Sequence, residues 1–117
     1  MPETPPVRSF TAGLARVSVY PNAAAMGAAA AESTCAIIRD AIAARGLARV
    51  MVATGNSQLD FIAALTRRTD VDWGRTEVFH MDEYAGIAAD HPASFRLWLR
   101  NRVDLKVRPA RMHYIEG

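Results

Sequence analysis

The stretch Val50–Leu65, VMVATGNSQLDFIAAL, constrains the fold more than any other part of this 117-residue chain. The apolar run Ala48–Ala53 stops at a polar corner, Thr54-Gly55-Asn56-Ser57. A helical pattern follows at once over 58–68, with Leu59, Ile62, Ala63 and Leu65 facing inward. A short apolar run bounded by turn residues predicts a strand covered on both faces, as in a parallel sheet.

The same alternation recurs along the chain. Leu14–Tyr20 reads as a first strand, broken by Pro21-Asn22, where Asn22 can cap a helix. The spacing predicts a long helix over 23–45, with Ile37, Ile38, Ala41 and Ile42 on one face and Gly46 stopping it. Further strands are expected at 76–81 and 111–115, a connector at 70–74, a loop at 84–90, and an amphipathic helix over 92–103 burying Phe95, Trp98, Leu99 and Val103. Strands alternating with helices predict an α/β fold with a mainly parallel sheet. Residues 1–13, with three prolines in the first six positions, are expected to be a flexible arm, and 14–117 to belong to a single domain. The last expected strand is followed only by Glu116-Gly117, which predicts an uncovered sheet edge or face.

Bulk properties exclude several classes. The formal charge of +2 is too small to argue for nucleic acid. The alanine-rich segment 23–31 is too short and too weakly apolar to cross a membrane. A single cysteine, Cys35, permits no internal disulfide framework and reads as a small core residue. The N-terminus lacks the basic and apolar regions of a secretory signal. These features lead to the expectation of a cytoplasmic protein that needs no metal or cofactor and has no nucleic-acid or membrane partner.

Two corners carry the candidate chemistry. At Thr54-Gly55-Asn56-Ser57, glycine permits close approach of a ligand, and a helix start offers free N–H groups with the positive end of a dipole. Hydroxyls and an amide add donors, so a sugar phosphate is a natural guest. Ser57 followed by Asp60 equally resembles a capping box, in which case Ser57 merely starts the helix. The second corner ends the strand in VFHMDEYAG, 78–86. Asp82 there would stand at a strand's carboxyl end, where open α/β sheets bind ligands, and a carboxylate so placed can act as a general base. Asp82 and Glu83 can also be read as solvated loop residues, and His80 with Asp82, His91 and His113 as a loose metal set that matches no strong zinc spacing. Ser94, early in the helix expected at 92–103, can be read as facing the same crevice. Arg96, Arg100, Arg102, Lys106, Arg108 and Arg111 form either an anion patch or a solvated face.

Taken together, ATGNSQLDFIAAL, DWGRTEVFHMDEYAGIAADHPASFRLWL and MHYIEG resemble the glucosamine-6-phosphate deaminase/isomerase family, within the superfamily that includes 6-phosphogluconolactonases. The resemblance runs from about Val17 to Gly117. It implies a Rossmann-like three-layer sandwich, incomplete in this chain. It further implies a phosphate cradle at Thr54, Gly55, Asn56 and Ser57, and a general base at Asp82 that moves a proton between C2 and C1 of an amino sugar phosphate. Glu83, Tyr84 and Ser94 would form a secondary part of the site. Tyr84, where lactonases carry Arg, resembles the deaminase branch; Asn56-Ser57-Gln58 departs from the deaminases' usual Gly/Ser-Thr-Pro. Family members are longer and keep a ring-opening histidine in a later segment. The chain is therefore expected to be an N-terminal part with half a site, inactive alone, completed by a C-terminal segment or by a homo-oligomer. A lactone hydrolase and a non-catalytic sugar-phosphate sensor are the alternatives.

Overall fold

A computed structural model of the chain describes residues 4–117. The element order begins with an antiparallel hairpin, β1 (Arg8–Ala12) and β2 (Ala15–Val19). Gly13 at φ 61° makes the two-residue turn, a left-handed conformation that suits the twist of a hairpin. This corrects two expectations. Arg8–Ala12 is a strand rather than part of an arm, and the strand expected at 14–20 starts at Ala15 and pairs with β1 instead of joining the parallel sheet. The alternation Arg8-Ser9-Phe10-Thr11 carried that signal; the prolines before it masked it. The part of the expected arm at 1–3 lies outside the described residues. Only Val17 among the paired hairpin residues is half-buried. Consistent with a protruding hairpin, the radius of gyration is 15.3 Å, against about 13 Å for a compact chain of this length.

Helix α1 (Ala23–Arg45) begins and ends where its caps dictate. Asn22 Oδ1 accepts from the Ala25 N–H at 2.8 Å, and Gly46, at φ 76°, returns its N–H to the Ile42 carbonyl. Ile38 is fully buried, but Ile37 is exposed, because one residue's rotation of 100° carries it off the inward face. Next come β3 (Ala48–Val52), a 3-10 turn at Asn56–Gln58, α2 (Leu59–Thr66), a 3-10 turn at Trp73–Arg75 and β4 (Thr76–His80). The last helix starts at Phe95, three residues later than the sequence predicts. It runs as α3 (Phe95–Leu99), a π-helical turn (Arg100–Asp104) and α4 (Leu105–Val107), four residues beyond the expected end. The final strand, β5, is confined to Arg111–His113.

Strands β3, β4 and β5 form a parallel sheet in that order. Ala48, Val52, Thr76, Val78 and His80 are buried on one face, against Ile38 of α1, Ile62 and Leu65 of α2, and Leu99 and Val103 of the last helix. Gly27 sets how closely α1 lies on α2: a Cβ there would fall 2.7 Å from the Asp60 carbonyl carbon and 2.8 Å from the Phe61 nitrogen. Glu32 and Arg39 of α1 pair with Arg68 and Asp70 on the connector after α2, closing the same interface with charge.

The opposite face corrects the expectation that β3 is covered on both sides. Arg49 and Met51 of β3, Glu77 and Phe79 of β4, and Arg111 and His113 of β5 share that face by register. Met51 is 63% exposed, and none of the described helices packs there. The row is partly self-satisfied: Arg49 Nε donates to Glu77 at 3.0 Å, and the His113 ring stacks on Phe79 at 4.2 Å. The fold is therefore α/β with two of the three layers of a sandwich in the described residues.

Candidate active site

The parallel pairing of β3 with β4 brings the two corners to the same edge of the sheet. The last register pair is Val52 with His80, and Met81 N–H still donates to the Val52 carbonyl at 3.2 Å. Two residues beyond that pair stand Thr54 on one chain and Asp82 on the other. Both corners therefore leave the carboxyl ends of adjacent strands, at the side where open parallel sheets expose loops and helix starts to ligands.

Gly55 has φ 106° and ψ 176°, a region closed to residues with a side chain. A Cβ there would meet nothing within 4 Å, so the backbone faces open space. The Gly55 carbonyl accepts from Gln58 N–H at 3.0 Å, which closes the 3-10 turn before α2. The capping alternative for Ser57 does not hold. Neither the 3-10 turn nor α2 has a side-chain cap, and the Ser57 hydroxyl instead accepts from Gln58 Nε2 at 3.3 Å. Asn56 and Ser57 are exposed, and Thr54 and Gly55 half-buried. Uncapped N–H groups at a helix start, with exposed side-chain donors beside them, suit an anion.

The acidic corner is built the opposite way. Asp82 is exposed, but Glu83 beside it has no exposed side-chain surface. Glu83 Oε1 accepts from the N–H groups of Tyr84 and Phe95, each at 3.0 Å. Its Oε2 accepts from Ser94 Oγ at 2.7 Å, Arg96 N–H at 3.0 Å and Arg96 Nε at 3.3 Å. Burial alone pushes this carboxyl up, but the donors from Phe95, Arg96, Ser94 and Tyr84 outweigh it and hold it at about 2. Ser94 is 2% exposed and is the N-cap of α3, accepting from Leu97 N–H; it is not an early-helix residue facing the crevice. Tyr84 is 54% exposed, with its ring 4.8 Å from that of Phe95.

The histidines do not gather. His80 is buried on the helix-covered face, where its Nδ1 accepts from Ile115 N–H at 3.2 Å and its Nε2 has no partner. Burial holds its pKa below the usual value, against the pull of the Glu83 and Asp82 carboxylates. His113 is on the opposite face, and His91 accepts from its own loop at Ala93 N–H. The basic residues form no single patch: Arg96, Arg100 and Arg108 line one cavity together with Asp104 and Glu116, and Arg102 and Lys106 line another beside α2. Arg96 is bound to Glu83 and the Ile87 carbonyl, Arg102 lies over Trp98, and Arg111 belongs to the open sheet face.

With this geometry in view, similarity decides the family. The model for glucosamine-6-phosphate isomerases/6-phosphogluconolactonase matches residues 21–117. The chain belongs to this family. It is 30% identical over 109 residues to a glucosamine-6-phosphate deaminase of Arthrobacter sp. (strain FB24), covering 86% of this chain and 39% of that one. It is 34% identical over 90 residues to the Streptomyces coelicolor deaminase, covering 74% and 33%. Among solved structures, a 6-phosphogluconolactonase from Shewanella baltica superposes with a TM-score of 0.76 at 21% identity, over 84% of this chain and 42% of that one. A monomeric glucosamine-6-phosphate deaminase superposes with a TM-score of 0.69 at 21% identity. The structural likenesses establish the Rossmann-like fold of the family. The chain spans about two fifths or less of the length of these relatives.

Proposed function

We propose that the chain forms the phosphate-binding and proton-abstracting part of an amino-sugar-phosphate deaminase/isomerase. Thr54, Gly55, Asn56 and Ser57 hold the sugar phosphate, and Asp82 is the general base. The observation that carries this reading is the meeting of an uncapped glycine corner and an exposed carboxylate at adjacent parallel strand ends. In the open-chain sugar, the C2 proton lies beside a carbonyl and is weakly acidic. A carboxylate within reach removes it and returns it to C1, so the C2–H bond breaks and a C1–H bond forms. The amino carbon becomes an imine; water adds to it, ammonia leaves, and glucosamine 6-phosphate becomes fructose 6-phosphate. The N–H groups of the corner hold the dianionic end and keep C1 and C2 in register with Asp82.

The matched part is about two fifths of a relative's length, and the groups described above are part of the proposed site. The remaining groups, ring opening among them, come from a complementing segment or a second copy of the chain. The open sheet face supports the same reading, since parallel sheets are ordinarily covered on both sides. This chain alone turns over little or nothing. A lactone-hydrolase reading has the support of two solved neighbours, the Shewanella lactonase and a putative 6-phosphogluconolactonase from Neisseria gonorrhoeae at 26% identity, and the family model spans both activities, while the identities of 30% and 34% are to deaminases. Its product chemistry would occur in the cytoplasm, on a soluble sugar phosphate.

The deciding measurement supplies the active assembly with glucosamine 6-phosphate and, separately, with 6-phosphogluconolactone. Ammonia release that Asp82→Asn abolishes, with sugar-phosphate binding retained, is the expected result. Lactone hydrolysis without ammonia would establish the hydrolase, and binding without turnover in any assembly would establish a sensor.

A further inference from the structure

We propose that Glu83 is the positioning residue of this site: it fixes Asp82 at the tip of β4 by tying the following residues to the start of α3, and it moves no proton itself. The inference rests on the reading of Asp82 as the base, and it assigns different tasks to two adjacent carboxylates that look alike in sequence. Asp82 is exposed, whereas Glu83 is wholly enclosed by five donors from Tyr84, Ser94, Phe95 and Arg96. An ionised carboxylate offers about four lone-pair sites, so none remains free to accept a substrate proton. A carboxyl held at about 2 is also a poor base near neutral pH.

The placement is what makes the enclosure matter. On one side of Asp82, the β4 end is tied down by Met81 N–H on Val52 and by Ile115 N–H on His80. On the other side, Glu83 grips three consecutive residues, 94–96. Arg96 in turn reaches back to the Ile87 carbonyl at 2.8 Å and closes the loop between them. Asp82 is thus one exposed residue between two anchored ones. A base fixed in this way needs no ordering when substrate arrives. Removing the Glu83 charge frees the backbone of Asp82 without touching its side chain.

The test uses Glu83→Gln, Glu83→Asp and Ser94→Ala in this chain, at one fixed pH because His80, Asp82 and Arg96 face the same carboxylate. Backbone order at Asp82, read by 15N relaxation, should fall from that of a rigid strand to below about 0.6 in E83Q. Amide exchange at Phe95 and Arg96 should quicken by about tenfold or more, with Val78 and Leu99 little changed as proof of an intact core. E83D, which keeps the charge, should recover much of both effects, and S94A, which removes one donor, should show a smaller change if E83Q fails to fold. Unchanged order at Asp82 in E83Q would overturn the proposal. In the active assembly, E83Q should lower kcat with KM little altered and the basic group of the pH profile retained. Loss of that group would make Glu83 a proton-transfer residue and overturn the proposal from the other side. Amide shifts at Gly55–Gln58 on adding glucosamine 6-phosphate report the sugar-phosphate reading separately, so its failure leaves the relaxation result standing.

Discussion

The two corners at the β3 and β4 tips sit side by side and are organised in opposite ways. The glycine corner has backbone N–H groups left without caps, exposed donors and a backbone shape that only glycine adopts. The acidic corner satisfies a buried carboxylate five times over and leaves its neighbour free. The contrast separates two ways of preparing a site. On the proposed reading, an anion is met by leaving donors unpaired, while the proposed base is held by giving the adjacent residue to anchorage.

The largest effect that can break this comparison is on chemistry. Asp82→Asn should lower turnover of the active assembly by about 10²–10⁴-fold while binding of a sugar phosphate persists. Equal turnover would reduce Asp82 to a solvated loop residue. Next comes stability. Glu83→Ala leaves the Ser94 hydroxyl and Arg96 Nε without their acceptor, although the guanidinium keeps the Ile87 carbonyl, and should cost about 3 kcal/mol in urea unfolding, whereas Asn56→Ala in the other corner should cost under about 0.5 kcal/mol. Similar losses at both positions would erase the distinction.

Gly55→Ala should cost about 1–3 kcal/mol from backbone strain alone, since nothing crowds the added methyl. Phosphate affinity should fall with it. The acid behaviour sharpens the contrast further. Glu83 in the folded chain is held at about 2, below its ordinary value, so its contribution is complete above about pH 4.5 and drains away as pH falls toward 2. Glu83→Gln should reduce the slope of stability against pH in that window. It should not abolish it, because the side-chain hydrogen bond from Arg68 also holds Asp70 at about 2. The smallest effect is the most pointed: Ser57→Ala should weaken phosphate binding several-fold yet leave the melting temperature almost unchanged. A stability loss of about 1 kcal/mol would restore the capping role.

Much of this was legible from residue patterns. Asn22 and Gly46 bounded α1, and the polar break at 54–57 and the run into Asp82 marked both corners, because caps and turn glycines act locally. What escaped the reading depended on contacts distant in sequence. Glu83 and Ser94 are eleven residues apart, and nothing near either says that one closes on the other. Ser94 looked like an early-helix residue because Pro92 suits a first turn, yet the bond to Glu83 places the helix start at Phe95. The hairpin was hidden by neighbouring prolines. The open sheet face had visible signs in Arg49 of β3, Glu77 of β4 and Arg111 of β5, charged residues that a cover on both sides would have buried. The π-helical turn at Arg100–Asp104 has no sequence mark that we can identify.

The contact at Gly27 reaches further than its position on α1 suggests. Its backbone touches the first turn of α2, directly after the 3-10 turn that shapes the glycine corner. A methyl at this point would have to lift that turn, and the anion-facing groups would travel with it. A random-mutagenesis search for altered ligand preference should therefore return hits on α1 as well as on the corner itself, and substitutions at Gly27 should be prominent among them.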